Sequence, residues 1–384
     1  MIPTNIAGAR GSDSRRIGEI DVLRGLAIAG VVMRHVSWQL LTPANLAAPG
    51  GSAIAIACIL SDVGVSLFVA VSAFGLAWRY AAPFSGVRAW LGFLASRASR
   101  LLPAYVLWSI VSLAARDRAL LSSPSDVGGA LLFGTADVQF YYVPMVFELY
   151  ILWPLVRPLA AMRSARGVIV VLAAGAAVAE LVWRAVIPSP WTPLLYLSPA
   201  VATGLVLPML LGNPAPGSNP FGAGAARRRA LVPILIAAAA AALFVCASRF
   251  FAFAPEATSR GALFLVTMMS AAPQALLNCS LIAALALLAT PLARTRAGGW
   301  IAALGRMSYG VFLVHLLVAS TVVYRLFAID TAAPGGAAGT VLRMTGAWLA
   351  VLLVSYAGTL LLARIPNLAW TVGLERAPRP ETVG

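Results

Sequence analysis

The chain has 384 residues, 60% of them hydrophobic and 11% charged, with a mean hydropathy of +0.88. A soluble domain carries about a quarter charged residues, so this composition excludes a soluble enzyme or a disordered chain and describes a polytopic membrane protein. The formal charge of +15 arises from 28 arginines without a single lysine, spaced between apolar runs, a pattern of membrane topology signals rather than of nucleic-acid binding.

Residues 1–20 are polar and basic (Arg10, Arg15, Arg16) and read as a cytoplasmic segment. The first apolar run carries Arg34 and His35 and has no small-residue cleavage site after it, so it reads as a retained helix. A span needs about 20 apolar residues, and that criterion predicts helices at 22–42, 54–78, 96–115, 139–160, 167–187, 191–211, 230–252, 261–289, 300–327 and 340–363. The stretch 120–135 is too short and glycine-rich to span and reads as a surface or re-entrant piece, and the long run 261–289 is expected to tilt or break at Pro273. With the N-terminus inside, twenty of the 28 arginines fall on alternate loops, including Arg79, Arg88, Arg97, Arg100 and the Arg227–Arg229 run. The expected fold class is therefore all-α, a bundle of about ten transmembrane helices with both termini cytoplasmic, one domain over 21–364 and a tail over 365–384.

Polar groups within a bilayer are costly and mark functional positions by default. Only two histidines occur, His35 and His315, each well inside a predicted helix. Arg24 precedes His35 by eleven residues, which leaves about 20° of rotation and a rise of about 16 Å, so both share one helix face. Asp21 stands three residues before Arg24, where it can pair with the guanidinium. Arg34 points about 100° away from His35 and is expected to line a different interface, while Asp62 and Ser66 in the second span either line a path or satisfy neighbouring helices. Cys58, Cys246 and Cys279 lack metal-ligand spacing and read as small core residues; no metal site is expected.

The segment IDVLRGLAIAGVVMRH, with Asp21, Leu23, Arg24, Gly25 and His35, resembles the first-helix signature of acyltransferase family 3. GVSLFVAVSAFGLAWRY resembles the family's Phe-x-x-Ser-Gly-Phe motif through Phe68, Ser72 and Phe74, with Ala73 in place of the glycine. SRASRLLPAYVL is similar to its Arg-x-x-Arg-x-x-Pro segment, carrying Arg97, Arg100 and Pro103, with Tyr105 two residues on. FYYVPMVFELYILWPL matches its Leu-Tyr and Pro pattern at Tyr150 and Pro154, and Glu148 is the sole acidic residue of that span. LGRMSYGVFLVH resembles its Ser-Tyr-x-x-Tyr-Leu-x-His helix through Ser308, Tyr309, Leu313 and His315, with Phe312 replacing the second tyrosine.

The resemblance implies an acyl-CoA-dependent O-acyltransferase of the bacterial inner membrane, moving an acyl group, acetyl above all, to a sugar hydroxyl in a cell-surface polysaccharide, glycolipid or glycosylated metabolite. Arg24, Arg97 and Arg100 would then hold the phosphates of the donor from the cytoplasmic side, and His35 would act as general base or as transient acyl carrier, with Glu148 beside it. Asp21, Ser72, Tyr105, Tyr150, Ser308, Tyr309 and His315 would give substrate contacts or structural support. The expected partners are acyl-CoA, a sugar-containing acceptor and membrane lipids, without nucleic acid. The alternative reading is a transporter or flippase of a sugar-linked lipid or solute, since charged groups inside ten helices also describe such proteins.

Overall fold

The computed structural model describes residues 17–80, 82–161, 198–212, 219–221, 225–254, 271–327, 329 and 336–374. The helix expected at 167–187, and parts of those at 191–211 and 261–289, lie outside the described residues. Among the described residues every regular element is helical. In chain order these are α1 (Gly18–Leu40), α2 (Pro43–Ala47), α3 (Gly51–Ser61), α4 (Val63–Arg79), α5 (Val87–Arg116), α6 (Pro124–Phe133) and α7 (Tyr142–Ala161). There follow α8 (Ser198–Leu210), α9 (Ala225–Phe253), α10 (Ala271–Ala293), α11 (Arg296–Arg306), α12 (Ser308–Val318) and α13 (Gly336–Arg364).

Among the described residues six stretches are long and apolar enough to cross a membrane: Gly51–Arg79, Val87–Arg116, Ala225–Phe253, Ala272–Ala293, Ser308–Leu326 and Gly336–Arg364. α1 and α7 have spanning length, 23 and 20 residues, but are not in that group. The protein is an integral membrane bundle. Large apolar side chains face outward on its periphery, where Phe244 of α9 is 73% exposed and Leu342 of α13 is 74% exposed, as lipid contact requires.

α1 is the central helix. Its first half buries Leu23, Ala27, Ile28 and Val31 in one apolar core, and its second half buries Val32, Val36 and Leu40 in another. Apolar burial drives little association between helices in lipid, so close packing must come from small residues. Gly25 lies against the backbone carbonyl of Ile301 on α11, and Gly305 against that of Asp21, so that a Cβ at either position would overlap main chain. Gly30 and Gly64 play the same part where α1 crosses α4. Ala73, where the family signature has glycine, meets Gly204 of α8: the small residue needed at that crossing is supplied by the partner helix.

Two of the expected single helices are broken. The run 54–78 divides at Asp62 into α3 and α4, and the run 300–327 divides at Met307 into α11 and α12, whose chain then passes through a π-type turn at Ala319–Val323. Neither break involves proline, so hydropathy runs through both without a mark. The stretch 120–135 forms a 3-10 turn at Arg118–Ser122 and α6, capped by Ser123, whose hydroxyl accepts from Asp126 N. The region expected as a tail starts as packed structure: a 3-10 turn at Ala369–Val372 rests on α5, where Trp108 Nε1 donates to Thr371 O at 2.7 Å.

Candidate active site

Where α1 and α12 begin and α4 ends, beside the middle of α5, a cavity of about 770 Å³ opens. α1, α7 and α12 each present a helical stripe of 3.6-residue period to it, whereas α4 lines it with most of its last two turns. α1 contributes Ile17, Ile20, Asp21 and Arg24; α4 contributes Phe68, Ser72, Gly75 and Arg79; α5 contributes Arg97, Arg100 and Leu101. α7 adds Tyr142, Val143, Val146 and Tyr150, and α12 adds Ser308, Tyr309 and Phe312. Gly373 and Leu374 close the wall after the last 3-10 turn, Gly373 at φ 73° with the Tyr309 ring where a Cβ would stand.

Four arginines, Arg24, Arg79, Arg97 and Arg100, thus line one space. Arg97 is held in an aromatic frame, its carbon 5.2 Å from the Phe93 ring centroid, 5.7 Å from Tyr150 and 5.8 Å from Tyr80, and its Nη2 donates to Tyr80 Oη at 3.3 Å. Such stacking leaves the planar fork aimed while its apolar faces are covered. Tyr309 is fixed by donating from Oη to Leu101 O at 2.7 Å. Ser308 is fully buried, and its hydroxyl has no hydrogen-bond partner among the described residues.

The deep end of the cavity is an aromatic layer. Tyr142 lies 5.8 Å from Phe68 and 5.4 Å from Phe312, centroid to centroid. One step beyond Phe312 comes His315, at 6.1 Å, and against it His35, at 5.3 Å with a 44° tilt. The two histidines of the chain, 280 positions apart, therefore form a pair behind the aromatic layer.

Of the residues singled out from sequence, Asp21, Arg24, Ser72, Arg97, Arg100, Tyr150, Ser308 and Tyr309 share the cavity wall. His35 and His315 lie outside its lining, beyond the aromatic layer. Tyr105 is buried in packing, donating to Leu131 O at 2.6 Å and meeting Phe140 edge-on. Glu148 is half-buried and off the cavity stripe of α7, about 200° around the helix from Val146. Arg34 turns to the other side of α1, as expected: its Nε meets Asp62 Oδ1 at 3.4 Å and its guanidinium stacks 5.0 Å from Trp38. Asp62 also accepts from Asn278 Nδ2 at 3.1 Å, and that amide reaches Ser66 Oγ at 3.1 Å, which makes these residues one interhelical network.

Sequence reasoning did not single out Arg79, Tyr142 or the Gly373–Leu374 corner. Arg79 and Tyr142 carried a usable signal, since Arg79 is seven residues past Ser72 and Tyr142 eight before Tyr150, each on its neighbour's stripe. No periodicity marks the corner, because it reaches the cavity by a turn after α13. Among the described residues no group of three His, Cys, Asp or Glu is arranged to hold a metal.

A family model described as an acyltransferase domain matches residues 17–364. No curated protein and no solved structure matches the chain.

Proposed function

Because the chain belongs to acyltransferase family 3, we propose that it is an acyl-CoA-dependent O-acyltransferase that esterifies a sugar hydroxyl. The observation that carries this reading is the cavity into which Arg24, Arg79, Arg97 and Arg100 converge, with the histidine pair behind its deep end. Acyl-CoA is a polyphosphate with a long thin arm. Guanidinium forks at the mouth suit its phosphates, and a pocket of this size accepts a ligand of several hundred Å³. The thioester end would then point along α1 and α12 towards Phe312 and the histidines.

At that end His35 acts on the reaction in one of two ways, as general base towards the acceptor hydroxyl or as transient carrier of the acyl group. The aromatic layer of Phe68, Tyr142 and Phe312 must part or be flanked for the acyl group to arrive, and while closed it keeps water from the thioester. The topology that goes with this reading is ten spans with both termini cytoplasmic, in the bacterial inner membrane, so that the arginine end faces cytosolic acyl-CoA. Transport of a sugar-linked lipid would leave four converging arginines and a histidine pair without a reaction to serve.

Thioester turnover by purified protein tests the proposal: acetyl-CoA in, free CoA out, across a panel of sugar acceptors. The expected result is acceptor-dependent CoA release, lost in His35→Ala with donor binding retained, and weakened donor binding in Arg24→Ala. Failure of the wild type to bind acetyl-CoA would refute the donor assignment.

A further inference from the structure

His315 occupies the next position on the α12 stripe that lines the cavity. It follows Ser308 by seven residues, a rotation within about 20° of the same direction, roughly 10 Å further along the helix. It is completely buried. Its Nδ1 lies 2.7 Å from Phe312 O. A backbone carbonyl only accepts, so Nδ1 carries the hydrogen, and in the neutral ring Nε2 is a bare lone pair. That Nε2 has no hydrogen-bond partner among the described residues.

The groups around the ring do not fill this vacancy. His35 on α1 faces it at 5.3 Å. Arg116, at the end of α5, acts electrostatically on both rings, but its fork is engaged elsewhere: Nη2 donates to Leu316 O and Ser320 Oγ, each at 3.1 Å, and Nη1 meets Asp137 Oδ1 at 3.1 Å. A buried acceptor without a donor is costly and calls for a partner that arrives from outside the protein. An imidazole with Nδ1–H pinned to an oxygen and Nε2 left open is also the arrangement that makes histidine a general base.

We infer that His315 is a second catalytic residue, whose Nε2 takes the proton of the acceptor hydroxyl. The inference rests on the acyl-CoA reading above. The hydroxyl oxygen forms its bond to the acyl carbon while the O–H proton passes to Nε2. The bond from that carbon to the leaving atom then breaks with its electron pair, and the leaving atom takes the proton back from Nε2. With His315 as the base, His35 is the carrier: in a first step its nitrogen bonds the acyl carbon, the bond to sulfur breaks, and the His35 N–H proton leaves with the sulfur as CoA thiol, so the leaving atom in the second step is the His35 nitrogen. The products are the ester and CoA thiol, and both rings end neutral.

The test uses the full chain, acetyl-CoA and an acceptor that supports CoA release, comparing wild type with His315→Gln, His315→Asn, His35→Gln and the double variant His35→Gln/His315→Gln. The expected result in both His315 variants is donor affinity within about twofold of wild type and acceptor-dependent CoA release lower by about 10²- to 10⁴-fold. The acidic limb of the pH profile of kcat/KM for the acceptor should flatten with them. The double variant should be no slower than the worse single one, because without the His35 carrier there is no acyl group for His315 to assist in transferring. Wild-type turnover in either His315 variant would overturn the assignment, and so would loss of donor binding and of thermal stability in both, which is what a packing residue would give. Absence of acceptor-dependent CoA release in the wild type itself would instead bring down the acyl-CoA reading, and this assignment with it.

Discussion

Arg97 shows how one cavity residue is built and what it predicts. Three aromatic rings cover its guanidinium and Tyr80 Oη takes one of its hydrogens. Lysine keeps the charge but loses the fork and the stack. Arg97→Lys should raise the dissociation constant for acyl-CoA about tenfold, the loss of roughly one charge-assisted hydrogen bond, with a smaller change in kcat; titration calorimetry against steady-state rates separates the two. Asp137, in the loop before α7, behaves differently. It is 6% exposed, and burial pushes its carboxyl up from the usual 3.8, opposed by Arg116. A raised folded pKa means that the stabilising contribution belongs to the protonated form: it is present below the ordinary value and lost as pH rises through the raised one. Asp137→Asn should therefore gain stability relative to wild type as pH rises through that window, read as a difference in Tm. At this scale the sequence was legible where a motif and a helical period coincide, as at Asp21, Arg24, Ser72, Arg97 and Tyr309. Glu148 was singled out as the sole acidic residue of its span and Tyr105 as a neighbour of a motif proline, and the cavity includes neither.

At the scale of the element, the glycine of the first-helix signature is a packing residue. Gly25 permits α1 to touch the α11 backbone, and Gly305 returns the contact one turn away, which sets the neighbouring Arg24 at the cavity wall. Gly25→Ala should cost about 1–3 kcal/mol as overpacking and weaken acyl-CoA binding through displacement of Arg24. Gly92→Ala, where nothing stands within 4 Å of the added methyl, should match wild type or gain slightly in thermal stability. Helix existence was legible because spans of 20 apolar residues have few alternatives in lipid. The breaks at Asp62 and Met307 were not, because each uses a single residue and is held by tertiary contacts, Gly64 against α1 in one case and Gly305 against α1 in the other. The Met307 break matters for the site, since α12 starts there and brings Ser308 and Tyr309 to the wall.

For the whole molecule, the arrangement of charge and chemistry makes orientation decisive. The cavity and its arginines sit at one end, while Arg116, Asp137 and the turn at Arg118–Ser122 lie at the other end of α5. If the arginine end is cytoplasmic, as the excess of arginine on alternate loops predicts, a cysteine at position 122 is outside and one at position 85 is inside. The native thiols interfere little, since Cys58 and Cys246 are buried and Cys279 is half-buried. Ser122→Cys should react with a membrane-impermeant maleimide in intact cells, and Ser85→Cys only after permeabilisation. The opposite pattern would put the cavity on the side where no acyl-CoA is made and defeat the donor reading at once. The expected pattern carries a mechanical consequence: the donor enters at the end marked by Arg24 and Arg97, and the histidine pair lies across the aromatic layer from it. A hydroxyl arriving from the far end of α5 would then meet the acyl group at the two imidazoles without passing the phosphate site.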